Sequence, residues 1–185
     1  MNVTDAVLQA IVDAAVEGAE ADAGWLVVHD GERLRVVAAA GDGVSTLMGG
    51  STPDTEGTVG FVVASSQPLA LNNPGAGDDR LGGGINGLAG RVPSAVLCVP
   101  CVAGDTVVGA LELVDKLGGG TFTFADIEVV TLLAAVGAAA LADVGTPRSV
   151  PDPVELGHEL SRLAEVDPAR YLAVATVLDA LLGGS

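Results

Sequence analysis

Two cysteines, Cys98 and Cys101, stand three apart in "SAVLCVPCVAGDTVVGALELVDK", and they are the only thiols in the 185-residue chain. Cys-x-x-Cys spacing is shared by redox pairs and by halves of zinc sites, so the flanking residues decide which chemistry is open. Redox pairs gain reactivity at a helix N-terminus, where the thiolate is stabilised. Here the flanks are Val, Leu and Ala, which suit a strand. On a strand, residues three apart point to opposite faces and lie about 10 Å from one another, beyond the reach of a disulfide. Zinc needs further ligands, and His29 and His158 stand at no recognisable ligand spacing. The expectation is two reduced structural thiols and no metal site. His29 ends an apolar run just before Asp30-Gly31, the place of an exposed turn imidazole. No nucleophile, base and orienting group assemble from the remaining residues, so no catalytic residue is assigned and the chain is read as non-enzymatic.

The elements that hold these residues follow from periodicity. Val3, Val7, Leu8, Ile11, Val12, Ala15 and Val16 fall on one face of an N-terminal amphipathic helix. "GWLVVHD" and "RLRVVAAAG", joined at Asp30-Gly31, read as a hairpin, and "SAVLCVPCV" and "TVVGALELVDK", joined at Ala103-Gly104-Asp105, read as a second. Between them "TVGFVVASS" suits a short helix and "PLALNN" a short strand, and the rest of the middle is irregular. A long helix then opens at "TFTFADIEVV". Thr123 fits its N-cap, Asp126 the reciprocal position of a capping box, and Phe122 with Ile127 a hydrophobic staple. Helix, hairpin, irregular middle, hairpin, helix is an α+β order, an antiparallel sheet with helices packed on a face.

Four of these stretches, in this order and spacing, resemble a GAF domain: "GWLVVHDGERLRVVAAAG", "EGTVGFVVASSQPLALNN", "VPSAVLCVPCVAGDTVVGALELVDK" and "GGTFTFADIEVV". The resemblance covers roughly residues 3 to 143. It implies a central antiparallel sheet of about five or six strands, with the first and last helices on one face and a loop-closed pocket on the other. It also implies a sensory or regulatory role, exercised through a small molecule or through dimerisation. Free methionine sulfoxide reductase, an enzyme of this family, uses cysteines in the pocket-lining loop, and residues 72–92 have none. In the family that loop is the lid over the ligand. Here "NNPGAGDDRLGGGINGLAGRVP" carries seven glycines in residues 72–93, which raise the entropy cost of ordering it. Arg80 and Arg91 are its only cations and are the candidates for an anionic ligand group, with the backbone around Gly82, Gly83 and Gly84 assisting. The alternative is a Gly-rich loop that binds nothing, its arginines paired with Asp78 or Asp79. The glycines are not followed by Lys-Ser/Thr, so this is no phosphate loop.

Cyclic-nucleotide members carry a motif of Asn-Lys, a gap, Phe, three residues and Asp-Glu. The chain matches it in part, with Asp115-Lys116, Phe122, Asp126 and then Ile127. Lys116 and Asp126 are retained and suit an ion pair, whereas Asp115 and Ile127 depart from the pattern. The capping box and staple explain Phe122 and Asp126 without a ligand, so Lys116, Phe122 and Asp126 stand as a motif that is either structural or linked to a ligand. No cofactor is specified.

After Asp143 the pattern changes. Residues 144–153 form a Pro-bearing linker, and residues 154–185 a two-helix appendage outside the resemblance. Asp152-Pro153 and Asp167-Pro168 each offer an N-cap followed by Pro at the first helical position, predicting helices over about 153–166 and 168–182. Leu156, Leu160 and Leu163 form one stripe, and Tyr171, Ala175, Leu178 and Leu182 another, that two helices cannot bury alone.

Charge and composition bound the partners. With 24 acids against 8 basic residues, a net −16, the surface repels nucleic-acid phosphates and anionic lipid, so neither nucleic acid nor membrane is expected. The chain is 49% hydrophobic, yet no run approaches the roughly 18 uninterrupted apolar residues of a membrane span. The N-terminus lacks a basic leader region, which suggests a cytoplasmic location. The expectation is therefore a GAF-like domain over residues 1–143 acting in signal transduction through an unidentified small molecule and protein contact. It pairs as a homodimer through its first and last helices, and the C-terminal helices serve a partner protein or the dimer. The alternative is a dimerisation module with a vestigial pocket.

Overall fold

Both sequence hairpins form, and strand pairing joins them into one sheet. In the computed structural model, which describes residues 3–72, 83–145 and 153–182, the strands are β1 (Ala21–His29), β2 (Arg33–Gly41), β3 (Ser51–Pro53), β4 (Leu69–Asn72), β5 (Ala95–Ala103) and β6 (Thr106–Lys116). They make a six-stranded sheet in the order β3-β2-β1-β6-β5-β4, every paired neighbour antiparallel. The β1–β2 turn is held by Asp30, whose Oδ1 accepts the Arg33 N–H at 3.0 Å, with Gly31 at φ +100°. The expected α+β GAF-like architecture is the one observed.

Helix α1 (Val3–Gly18) and helix α4 (Phe124–Gly145) lie side by side on one face of the sheet. Leu8, Ile11, Val12 and Ala15 of α1 are buried there with Val130, Ala134, Ala138 and Leu141 of α4. Val3 and Val7 do not join them, contrary to the sequence reading. They continue a neighbouring stripe through Ala10 and Ala14 that faces outward, leaving Val3 82% exposed. The stretch Phe124–Ala142 has the length and mean hydropathy, 1.9, of a membrane-crossing helix. Its inner stripe packs on the sheet, however, and Asp126 and Glu128 interrupt its first two turns.

The opposite face is covered by α2 (Gly57–Ser65) and the short α3 (Gly84–Leu88). The middle of the chain holds more structure than its sequence shows: a 3₁₀ turn at Ser45–Leu47, β3 and α3 all fall where no period is visible. A three-residue strand is too short to show alternation, and the two glycines in "GINGL" oppose helix formation locally. Packing supplies what propensity lacks. Ile85 and Asn86 are each 1% exposed, and Gly57 and Gly84, both at positive φ, bring the starts of α2 and α3 into backbone contact where a Cβ on either would strike the other.

The chain divides into two compact units, Met1–Thr146 and Pro147–Ser185. The second holds α5 (Pro153–Val166) and α6 (Pro168–Leu182), at the positions the Asp-Pro signals predict. Asp167 caps α6, its Oδ1 accepting the Arg170 N–H at 3.0 Å. Asp152 and the side chains of Leu156, Leu178 and Leu182 lie outside the described residues. Leu160 and Leu163 are half-buried and Tyr171 is exposed.

The tightest approach in the sheet is at Gly109 on β6, where an added Cβ would come within 2.0 Å of the Val27 carbonyl oxygen and 2.8 Å of Leu141. The first obstacle is backbone and cannot rotate away. Gly109→Ala is expected to destabilise the fold by about 1–3 kcal/mol, the usual range for overpacking, measured as a lower urea midpoint at unchanged slope.

Candidate functional site

A single row of residues crosses the face of the sheet beneath α2 and α3. Register pairing sets Ala39 beside Trp25, Trp25 beside Glu112, Glu112 beside Cys98 and Cys98 beside Leu69. Glu112, at the centre, is 0% exposed. Its Oε2 accepts the Trp25 Nε1–H at 2.6 Å, and its Oε1 accepts the Thr58 hydroxyl of α2. Asn86 of α3 donates through Nδ2 to Thr58 Oγ1 at 3.2 Å and lies 3.4 Å from Glu112 Oε1. Sheet, α2 and α3 therefore meet at one carboxyl group. Burial raises its pKa from the ordinary carboxyl range to about 7, against the opposing pull of the hydrogen bonds from Thr58, Trp25 and Asn86. Around it the described layer is largely apolar, with Val27, Leu47, Val59, Val62 and Ile85 all buried.

Outside this layer an open groove of about 760 Å³ runs along α2, lined among others by His29, Asp54, Glu56, Phe61 and Gly83. His29 is not the exposed turn residue its sequence position suggests. Its Nε2 lies 3.2 Å from Asp54 Oδ2, and its side chain is 19% exposed. The pairing follows from register, because β3 joins β2 and carries the chain to Asp54 beside the end of β1.

The residues singled out from the sequence fall in different places. Arg80 and Gly82 lie outside the described residues. Gly83 borders the groove, and Gly84 forms the contact with Gly57. Arg91 is engaged at the end of the sheet, where it donates to the Asp22 carboxylate and, at 3.1 Å, to Asp115. The hydrogen bond with Asp22 is the main cause of its raised pKa. Asp115 also accepts the Ser94 N–H and hydroxyl, at 2.7 and 2.9 Å. It sits at φ +54°, a conformation that Asn and Asp tolerate better than most residues.

Lys116 and Asp126 form a two-point ion pair, both oxygens 2.8 Å from Nζ. Asp126 also accepts the Thr123 N–H at 2.7 Å and hydroxyl at 2.8 Å, and Thr123 Oγ1 lies 3.4 Å from the Asp126 N–H. Burial opposes the Asp126 charge, but these bonds from Lys116 and Thr123 outweigh it and hold the carboxyl below its ordinary value. Phe122 is buried beneath the Lys116 amine, 5.9 Å from ring centre to Nζ. Capping box, staple and ion pair thus form one joint between β6 and α4.

Both thiols are free and buried. Cys98 belongs to the layer under α2 and α3, whereas Cys101 belongs to the layer under α1 and α4, on the opposite face of the sheet. Burial pushes both thiol pKa values up, Cys101 to about 12 and Cys98 further raised by the Glu112 charge. The sequence reading missed the Glu112 cluster. Its signal was an acid inside the apolar run "VVGALELV", in phase with Ala110 and Val114, together with a lone Trp in need of an acceptor.

The sequence matches the model of the GAF domain family over residues 4–142, and the chain belongs to that family. Among solved structures, the GAF-B domain of DevS from Mycobacterium smegmatis is 24% identical, with TM-score 0.59 over 80% of this chain and 98% of that one. The GAF domain of an Acinetobacter phosphoenolpyruvate-protein phosphotransferase is 18% identical, with TM-score 0.64 over 81% and 89%. A type II free methionine-R-sulfoxide reductase from Thermoplasma acidophilum shares the fold at 12% identity, with TM-score 0.62 over 76% and 93%. No curated protein matches the sequence. GAF domains are generally regulatory.

Two outcomes are expected from this geometry. Native protein resists a thiol reagent such as DTNB, whereas unfolded protein releases two equivalents, one for each free cysteine; a lower count would reveal a cross-link. Asp126→Ala lowers stability near neutral pH by about 0.5–2 kcal/mol, as for loss of a helix cap. Because the folded-state pKa is depressed, this stabilisation is present above the unfolded value of about 3.9 and is lost as pH falls through the folded one. Wild type and variant should therefore converge in acid-denaturation curves.

Proposed function

We propose that this chain is a sensory or regulatory GAF module of signal transduction that works through protein contact, as a homodimer joined by the outer faces of α1 and α4. The observation that carries this reading is the exposed apolar stripe on those helices. Val3, Val7, Ala10 and Ala14 of α1 and Val129, Leu132, Val136 and Ala139 of α4 all face outward, with Leu132 71% exposed. Small residues between the larger ones permit close helix approach, and closed two-fold pairing buries such a surface on both copies at once. The acid-rich surface fits a protein that avoids nucleic acid and anionic lipid.

Small-molecule sensing is a second reading, and the groove along α2 favours it. Its wall presents Asp54, Glu56, His29 and Phe61 and no Lys or Arg among the described lining, which suits a neutral or cationic ligand better than a phosphate. Native mass spectrometry of freshly purified protein tests this second reading, a bound small molecule supporting it.

Sedimentation at micromolar concentration tests the first reading. The full chain is expected to run as a dimer, Leu132→Asp combined with Val136→Asp as a folded monomer, and a chain ending at Thr146 as a folded but weaker dimer. A full-length monomer, or an unperturbed dimer in the double variant, would overturn the assignment of this face.

A further inference from the structure

We propose that Glu112 is a proton-binding site whose ionisation loosens α2 and α3 from the sheet, by way of a hydrogen-bond chain from Asn86 through Thr58 to Glu112 that reverses direction with the proton. This inference is independent of dimerisation and of any ligand in the groove.

The chain of contacts is short and closed to water. With Glu112 ionised, Asn86 Nδ2 donates to Thr58 Oγ1, the Thr58 hydroxyl donates to Glu112 Oε1, and the Trp25 indole donates to Oε2. Every donor then points at the carboxylate, and Asn86 Oδ1 is left buried without a hydrogen-bond partner. With a proton on Oε1 the order inverts: the carboxyl O–H donates to Thr58 Oγ1, whose own hydrogen turns towards Asn86. A half-turn of the Asn86 amide presents Oδ1 to receive it, since amide oxygen and nitrogen occupy nearly the same shape. Trp25 keeps its bond in both states. Oδ1 then has a donor, Nδ2 gives up its bonds to Thr58 and Glu112, and the apolar layer holds no net charge.

On ionisation the O–H bond breaks, the proton passes to water, and a charge remains beside Cys98 in an apolar layer. Unpaired buried charge is costly, and hydration relieves it. The sheet cannot part to admit water, because β1, β5 and β6 are held by full strand ladders. The cover can, because α2 and α3 are joined to the sheet by side-chain packing and side-chain hydrogen bonds and share no strand ladder with it. The groups recorded against Glu112 are Trp25 from β1, Thr58 from α2, Asn86 from α3 and Cys98 from β5. Cys98 is the titratable one among these described residues, and burial, with the Glu112 charge adding to it, raises its thiol pKa.

The chain has one tryptophan, so its indole N–H gives a single NMR signal beside the carboxyl carbon of Glu112. Both signals in wild-type protein are expected to titrate together with a midpoint near pH 7. Amide exchange in residues 57–65 and 84–88, corrected for its intrinsic pH dependence, is expected to accelerate about tenfold or more through the same midpoint, while α4 stays protected. Glu112→Gln should abolish both effects. An indole signal that does not titrate, exchange in α2 and α3 that does not follow it, or equal acceleration in α4 would each overturn the proposal. If Glu112→Gln does not fold, the coincidence of the wild-type midpoints and the protection of α4 decide it alone.

Discussion

The burial of one carboxyl group in an apolar layer constrains everything built over that side of the sheet. Glu112 has no access to solvent, so each of its oxygens must find a hydrogen-bond partner within the fold. Only a strand neighbour with an N–H at its tip and covering elements with polar side chains at the right height can supply them. Trp25, Thr58 and Asn86 meet these requirements from β1, α2 and α3. Two short helices of poor intrinsic helicity are thereby anchored to a sheet by side-chain hydrogen bonds as well as by packing. The placement of α3, which local propensity does not favour, depends on this contact and on the glycines at its start.

The two faces of the sheet are stabilised differently. Under α1 and α4 the layer is built from Leu, Ile, Val and Ala at helical and strand spacing, with Cys101 among them, and its polar groups lie at the edges. The β6–α4 joint is an example: Lys116, Thr123 and Asp126 form one closed set at the margin of that core. Under α2 and α3 the polar group sits at the centre of the layer. The first arrangement keeps its charges at its margin, whereas the second has its carboxyl group where hydration is hardest.

What was legible in the sequence followed the same division. Strands β1, β2, β5 and β6 and helix α1 announce themselves by periodicity, and the start of α4 by its capping residues, because those signals are local and repeat over many positions. The opposite orientation of Cys98 and Cys101 followed from strand geometry alone. The outward turn of Val3 and Val7 was not legible, since two adjacent apolar stripes on α1 differ only in which one meets the sheet. Likewise the pairing of His29 with Asp54, and of Arg91 with Asp22 and Asp115, joins segments distant in the chain through sheet register. The Glu112 cluster needed three such long-range contacts at once. Its sequence trace was a single misplaced acid, easily passed over in a chain with so many.

Lys116 is the chain's only lysine, and its amine is tied to both oxygens of Asp126 at the point where β6 hands over to α4. Acylation of a lysine amine needs a free, uncharged nitrogen and removes the positive charge. In this chain the one side-chain amine able to carry such a mark is already committed to a helix start. Marking it would uncouple the long helix from the strand before it, so a side-chain acyl group and an intact β6–α4 joint exclude each other.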